Sequence, residues 1–379
     1  MPQATLAALS AALVFVALIA YAVLGGADFG GGVWDMLARG PTAQRQRAAI
    51  ARGMGPVWES NNVWLIFVLV VTWTAFPIVF AGVSTALFIP ITLALVGIVL
   101  RGASFSFRSN YGVEIGAGVR WGYVFGIASV ITPFLLGTVA GALASGGIRI
   151  SGSGPSAQVS ANIWTTWTTP FALSCGAFAI GLCAVLSATY LTVDARNSGD
   201  EALARDFGQR ALVAGAVTAG LGALAAVLAI SEAPTLWRGL IGGALPLSIG
   251  AVVLGLATAA ALLRGAYLIA RVLVAAETAC ILLAWAGAQW PYLIVPDVTV
   301  ENAASPASVL GPMLIVVVIG LAILLPSLWY LFAIFKRRPS PQGPAAGAGT
   351  TVASFVASLQ AAAAPTLPPN PAEVPPPGD

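Results

Sequence analysis

The sequence contains no histidine and very little charge. Charged residues make up 8% of its 379 residues, against roughly 25% in an ordinary soluble domain. A water-soluble fold of this size needs a much more polar exterior, so this composition excludes a soluble globular protein. The net charge is only +3, which gives no indication of nucleic-acid binding.

Possible haem and metal ligands are equally scarce. The chain has four methionines and three cysteines besides its missing histidines. Cys175, Cys183 and Cys280 fall in apolar stretches without CxxC spacing, which is typical of buried small apolar residues. Because haem iron needs an axial His, Met or Cys ligand, we expect that this chain alone binds no haem, other cofactor or metal.

Long apolar runs dominate what is present. Hydrophobic residues make up 58% of the chain, and runs of about 20 apolar residues recur, the length of a membrane-crossing helix. No basic segment precedes the first run, so we interpret it as a retained helix and not a signal peptide. The sequence predicts an all-α polytopic membrane protein. Its nine predicted spans are residues 5–25, 57–76, 79–100, 121–143, 163–190, 209–230, 241–263, 269–289 and 309–335.

The basic residues indicate an orientation. Of the 17 Lys and Arg residues, only Arg149 and Arg238 lie outside one set of loops and the C-terminal flank. Positive loops face the cytoplasm, so we predict an external N-terminus, a cytoplasmic C-terminus and an odd number of spans. Spans 1–4 and 5–8 form two four-helix groups of equal orientation, with one further helix. Residues 1–338 form the membrane domain, and the Pro/Ala-rich residues 339–379 are predicted to be a disordered cytoplasmic tail.

Two acidic residues near the cytoplasmic ends of the predicted spans need an explanation, because ionisable groups at membrane depth are costly. Asp28 lies in the glycine cluster at residues 25–32. These glycines permit close helix packing or an unwound turn, although a plain helix-end loop is the alternative. Glu59 lies in Trp58-Glu59-Ser60-Asn61-Asn62. An N-cap with an aromatic belt explains part of this pattern, but four consecutive polar residues favour a proton relay.

Two further charged residues lie near the same predicted side. Arg101 ends the third span and is placed to pair with Glu59, unless it is simply a cytoplasmic anchor. Glu277 lies deep in the eighth span, too far from its end for easy snorkelling. A buried pair with Arg271 or Arg264 and a transport role are both consistent with its position.

Together these segments resemble subunit II of cytochrome bd-type quinol oxidases. The similarity runs from about residue 5 to residue 338, in the same order and with the same nine-span topology. It is carried by residues 25–35, 56–65 and 101–108, by Tyr190–Asp194, and by the loop at 285–308 with its Trp290-Pro291-Tyr292 and Asn302–Pro306 motifs.

The resemblance implies a multi-pass subunit of the bacterial cytoplasmic membrane. Its complex would oxidise quinol and reduce O2 to water in the aerobic respiratory chain, electrogenically, with protons taken from the cytoplasm. The partner, subunit I, would ligate two haems b and one haem d and hold the quinol site. By position, Trp58 and Glu59 match the family's Trp–acid pair on the proton path, Asp28 an acid near its entrance, and Arg101 the Arg ending the third span.

Three departures from the family pattern change the predicted path. Better-known members have Asp where this chain has Glu59, and an acid where it has Ser106. A hydroxyl can hold water but is not a proton acceptor at neutral pH, so the path is predicted to depend more on Glu59. Gly25 likewise replaces an acid found in some relatives.

Other functions remain open from the residues alone. A secondary transporter with parallel four-helix repeats also has glycine-broken helices and midplane carboxylates. A purely structural scaffold is the third reading. Membrane lipids surround the chain in every case, and the resemblance leaves open a bound quinone and a small accessory subunit.

Overall fold

The structure is a computed structural model that describes residues 1–54, 58–111, 117–152 and 157–337. The predicted tail at 339–379 lies outside the described residues. Twelve helices and two small hairpins are present within this part of the chain. In order, they are α1 Gln3–Leu37, α2 Ala43–Met54, α3 Trp58–Ala75, α4 Pro77–Ala86, α5 Phe88–Tyr111, α6 Ala117–Ser145, β1 Arg149–Ser151, β2 Gln158–Ser160, α7 Pro170–Asn197, α8 Glu201–Glu232, α9 Pro234–Ile241, α10 Leu245–Leu263, α11 Tyr267–Gln289, β3 Tyr292–Ile294, β4 Val298–Thr299 and α12 Ala307–Arg337.

The all-α membrane architecture is confirmed. Eight of the described helices are long and apolar enough to cross a membrane, namely α1, α5, α6, α7, α8, α10, α11 and α12. A ninth span results when α2 and α3 are counted as one bent pair. The predicted spans at 121–143, 209–230, 269–289 and 309–335 each lie within one helix.

Three predicted spans differ from the helices of the structure, and prolines lie at each difference. The span predicted at 79–100 is interrupted at Leu87, and α5 restarts at Phe88. Pro90 has no N–H to donate to the preceding turn, so a continuous helix would lose a hydrogen bond there. The span predicted from 163 begins instead at Pro170, where the Thr169 hydroxyl accepts a hydrogen bond from the Ala172 amide (3.1 Å). The span predicted from 241 is preceded by the separate helix α9.

Two groups of helices pack side by side. The first contains α1, α3, α5 and α6, and the second contains α7, α8, α10 and α11. Helix α7 contacts both α1 and α6, and α12 packs on α1 and α3. The division into two four-helix groups with one extra helix stays a prediction, because α7 packs on helices of both groups.

The glycine cluster lies inside a continuous helix, so the loop interpretation of this segment is wrong. A Cβ at Gly30 would be 1.9 Å from the carbonyl oxygen of Cys183 on α7. A Cβ at Gly32 would be 2.1 Å from the Ser129 hydroxyl on α6. The glycines therefore let α1 approach two neighbouring helices closely, as in many membrane helix pairs.

The helix bundle has two chemically different ends. At the hairpin end, Arg149 donates two hydrogen bonds to Asp297 (2.7 and 3.1 Å), and the Ile150 amide donates to the same carboxylate (3.0 Å). This joins the β1–β2 hairpin to the β3–β4 hairpin. The opposite end, where α1, α5, α7 and α10 finish, carries the segregated Arg and Lys residues and is called the basic end below.

Candidate functional site

A cavity opens near the basic end between α1, α2, α3, α7 and α11. Its volume is about 80 Å³, which is room for several water molecules. The wall is apolar where Leu24, Ile50 and Met54 contribute. Its polar wall is formed by six residues from four helices: Asp28, Asn61, Ser187, Tyr190, Asp194 and Arg271.

Asp28 and Asn61 form the inner polar contact of this cavity. The Asn61 Nδ2 group donates a hydrogen bond of 2.6 Å to Asp28 Oδ2. Both residues are buried, with 9% and 6% of their surface exposed. Hydrogen bonds to a charged acceptor are short and strong, so this contact fixes the carboxylate between α1 and α3.

Three residues form the other polar wall. The Arg271 guanidinium lies over the Tyr190 ring, 4.6 Å from its centroid, and its Nη1 is 3.7 Å from Asp194 Oδ1. Side-chain exposures of 26% for Arg271 and 38% for Asp194 place this pair within reach of solvent. The pair therefore forms a wetted mouth, and the Asp28–Asn61 contact lies at the buried side.

Arg101 lies beyond Asp28, inside the first helix group. It is only 3% exposed, and its guanidinium carbon is 4.8 Å from the Phe29 ring centroid and 5.6 Å from that of Phe125. Asp28 is its acidic neighbour and interacts with it electrostatically. A cation held between two aromatic rings is favourable when desolvated, so Arg101 is a buried member of the Asp28 cluster and not a surface anchor.

The other predicted path residues have different surroundings. Glu59, which we expected to pair with Arg101, is exposed in the first turn of α3, and Ser106 is exposed near the end of α5. Trp58 begins α3, but its side chain lies outside the described residues. The structure thus brings Asp28 and Arg101 together and places Glu59 and Ser106 on exposed faces.

Glu277 is half-buried at the contact between α11 and α10. A Cβ at Gly255 would be 2.7 Å from Glu277 Oε1, so the missing side chain of Gly255 makes room for the carboxyl group. Of its two predicted partners, Arg271 pairs with Asp194 instead. Within the described part of the chain, no ion pair is formed by Glu277.

Two of the few possible axial haem ligands of this chain, Met54 and Cys183, are packed between helices. The sequence has no histidine. The Met54 sulfur is packed against Gly31, and Cys183 is buried where α7 meets α1. No group of three or more His, Cys, Asp or Glu suited to a metal ion occurs within the described ranges.

The profile of the family described as cytochrome bd terminal oxidase subunit II matches residues 6–335. The chain belongs to this family. The putative cytochrome bd menaquinol oxidase subunit II of Bacillus subtilis is 24% identical over 346 residues, covering 89% of this chain and 97% of the relative. Subunit 2 of the cytochrome bd-I ubiquinol oxidase of Escherichia coli K12 is 28% identical over 187 residues, covering 47% of this chain and 46% of that protein.

The fold of this chain is similar to that of a chain in a solved bd oxidase structure. The structure of bd oxidase from Geobacillus thermodenitrificans contains a chain that superposes with a TM-score of 0.69 at 20% identity, covering 87% of this chain and 98% of that one. The family match identifies the chain as a membrane subunit of a bd-type terminal oxidase, an oxidoreductase. The transporter alternative has no support from these comparisons.

Sequence reasoning missed part of the cavity wall of this oxidase subunit. Asn61 was included in the polar segment at 58–62 but was not singled out, and the Arg271–Asp194 pair was not predicted. Asn61 is the residue of that segment whose side chain reaches Asp28. Finding Asn61 from the sequence requires knowing which face of α3 is turned inward. The sequence of α3 is too uniformly apolar to show that face.

Proposed function

We propose that the chain is the non-haem-ligating subunit of a quinol:O2 oxidoreductase and that it supplies a cytoplasmic proton path. The partner, subunit I, would hold two haems b, the haem d that reduces O2, and the quinol site. The proposal rests on the cavity near the basic end, which has room for several water molecules and is lined by the buried Asp28–Asn61 contact. Such a path makes turnover electrogenic, because the protons come from the cytoplasm.

The path begins at the mouth of the cavity. Arg271 and Asp194 are partly exposed and keep water at this position, while the apolar wall limits the water to a narrow column. Asp28 is the first carboxylate that this water reaches in the bundle interior. A buried carboxylate needs a charged or hydrogen-bonding partner, and Arg101 and Asn61 provide both.

Asn61 and Arg101 have different roles at Asp28. The Asn61 amide donates to one oxygen of the carboxylate and holds it in place at the wall of the cavity. Arg101 contributes a fixed positive charge that offsets the cost of an anion at this depth. In this proposal, Asp28 accepts a proton from the water of the cavity and passes it deeper into the bundle.

In this proposal, Glu59 and Ser106 lie on the surface of the chain that faces subunit I. Glu59 shares its face of α3 with the exposed residues Ile66, Val70 and Trp73, at intervals of seven, four and three residues. An exposed carboxylate among apolar side chains of a membrane helix needs a polar partner. We place subunit I on this face, where Glu59 would meet groups of the partner.

The orientation follows the charge distribution. The basic end faces the cytoplasm by the positive-inside rule, in the bacterial cytoplasmic membrane. The chain then also serves as the scaffold for subunit I. Lipids surround the remaining apolar faces.

Two experiments test this function. A tagged chain should co-purify with a second membrane subunit and with haem absorbance, and recovery of the chain alone without haem would contradict the oxidase assignment. Replacing Glu59→Gln in the assembled complex should slow quinol-driven O2 consumption without changing the haem content. Wild-type turnover in this variant would remove Glu59 from the path but leave the cavity and Asp28 in place.

A further inference from the structure

Tyr21 lies seven residues before Asp28 in α1, which is about two helical turns farther from the basic end. Its side chain is buried, with 6% of the residue exposed. It belongs to a cluster that joins α1, α3 and α7 and includes Phe29, Trp64 and Cys183. Its ring meets Phe29 edge-to-face, with centroids 6.5 Å apart. The residue therefore lies in the bundle interior, between helices α1, α3 and α7.

The phenol hydroxyl has an unmet hydrogen-bonding capacity. It is fully buried and finds no hydrogen-bond partner among the described residues. A tyrosine hydroxyl both donates and accepts, and buried polar groups are nearly always hydrogen-bonded to protein or to ordered water. The apolar neighbours of the ring offer no substitute. The hydroxyl is therefore a buried polar atom of this cluster that can take a water molecule as its partner.

Tyr21 shares its surroundings with charged residues of the candidate site. Tyr21 and Asp28 are seven residues apart, so they lie on the same face of α1, and the Arg101 guanidinium packs on the Phe29 ring that the Tyr21 ring also contacts. The ring also packs against Gly25, where a Cβ would be 3.1 Å from Cε2 of the ring. Gly25 thus leaves the space that the ring occupies between its own helix turn and the Asp28 cluster.

We propose that Tyr21 is the next proton-relay residue after Asp28, acting through a water molecule bound at its hydroxyl. This inference rests on the proposed function. The hydroxyl oxygen takes up a proton from water on the Asp28 side while its own proton leaves to the next acceptor, so no charge remains on the phenol. Arg101 orients the water between the two groups but does not exchange protons.

The test compares Tyr21→Phe with Tyr267→Phe in the purified, assembled oxidase. Tyr267 is also a buried tyrosine at 7% exposure, but it lies beneath Arg196 at the start of α11. Both variants lose one oxygen atom and keep the ring. We measure haem per complex, quinol-driven O2 consumption per haem and the solvent deuterium isotope effect on that rate.

Tyr21→Phe should lower turnover per haem about tenfold, a moderate loss for a proton-transfer group because water can still enter the site. It should also raise the isotope effect, whereas Tyr267→Phe should leave both at wild-type values. Gly25→Ala, which displaces the ring but keeps the hydroxyl, should also slow turnover. A per-haem rate and an isotope effect that stay at wild-type values in Tyr21→Phe would overturn the inference, whatever the effect of Gly25→Ala.

Asp28→Asn in parallel distinguishes the two levels of the proposal. A slow Asp28→Asn with a normal Tyr21→Phe rejects Tyr21 and leaves the cavity path intact. Wild-type rates in both variants reject the cavity path and the relay together. A slow Tyr21→Phe with a normal Asp28→Asn also contradicts the relay, because it separates the hydroxyl from the path that is meant to feed it.

Discussion

The side-chain amide of Asn61 donates a 2.6 Å hydrogen bond to the carboxylate of Asp28, across the contact between α3 and α1. Both residues line a cavity whose wall also includes the partly exposed Arg271 and Asp194. The hydrogen bond therefore joins the glycine-rich segment of α1 and the polar start of α3 in one site, although the two residues are 33 positions apart in sequence.

Replacing Asn61→Leu should slow quinol-driven O2 consumption about tenfold, because the Asp28 carboxylate loses the donor that holds it in place. This is a small part of the roughly 10²–10⁴-fold that an acid–base group contributes. Asn62→Leu is the matched control, since Asn62 is the next residue of α3 and does not line the cavity. Equal rates in the two variants, at equal haem content, would contradict the role of Asn61.

Replacing Gly30→Ala should destabilise the folded subunit by about 1–3 kcal/mol, the usual cost of overpacking. The new Cβ would be 1.9 Å from the Cys183 carbonyl oxygen, so α1 and α7 must separate. Gly215→Ala on α8 is the control, because no atom lies within 4 Å of its added Cβ. Thermal unfolding of the purified complex measures both, and a melting temperature unchanged by Gly30→Ala would show that the two helices are not tightly packed.

The Arg149–Asp297 pair should make the stability of the hairpin end depend on pH. The hydrogen bond from Arg149 lowers the pKa of Asp297. Because this folded-state pKa lies below the unfolded value of about 3.9, the stabilisation is present above pH 4 and is lost as the pH falls through the folded pKa. Limited proteolysis of the loop at 291–306 should be faster for Asp297→Asn than for wild type at pH 7. The two rates should converge in acid, and a difference that persists there would point to another cause.

Replacing Glu277→Gln should leave assembly and turnover close to wild type. The carboxyl group occupies space left by Gly255, and Arg271 is paired with Asp194. Gln keeps the volume of the side chain and removes a costly acid from the membrane interior. Haem content, melting temperature and O2 consumption per haem measure the outcome. Poor assembly would indicate that Glu277 has a structural pairing role, and slow turnover would indicate that it has a transport role.

Hydropathy and charge predicted most of the fold, for a physical reason. A lipid environment demands long apolar helices and segregated basic loops, and both are visible in the sequence. The amphipathic helix α2 was missed because its residues 43–54 are too polar to resemble a span. The breaks at Leu87 and before α10 were missed because apolar residues continue across them.

The site was only partly predictable. Asp28 stands out because a carboxylate in an apolar segment is rare. The segment at 58–62 was recognised as well, but which of its polar residues faces inward depends on the rotation of α3, and the exposed residue is Glu59 while Asn61 is buried. The Arg271–Asp194 pair joins two helices 77 positions apart, and pairing over such a distance follows from packing, not from local pattern.

The most direct test of the central claim is proton uptake by the assembled oxidase carrying Asp28→Asn. The variant is reconstituted into vesicles, and a pH indicator on the side of the basic end follows proton uptake during quinol oxidation. We predict uptake and O2 consumption at least about tenfold slower than wild type, with unchanged haem content, since acid–base groups commonly contribute 10²–10⁴-fold. Wild-type proton uptake in a fully haem-loaded Asp28→Asn complex would contradict the account.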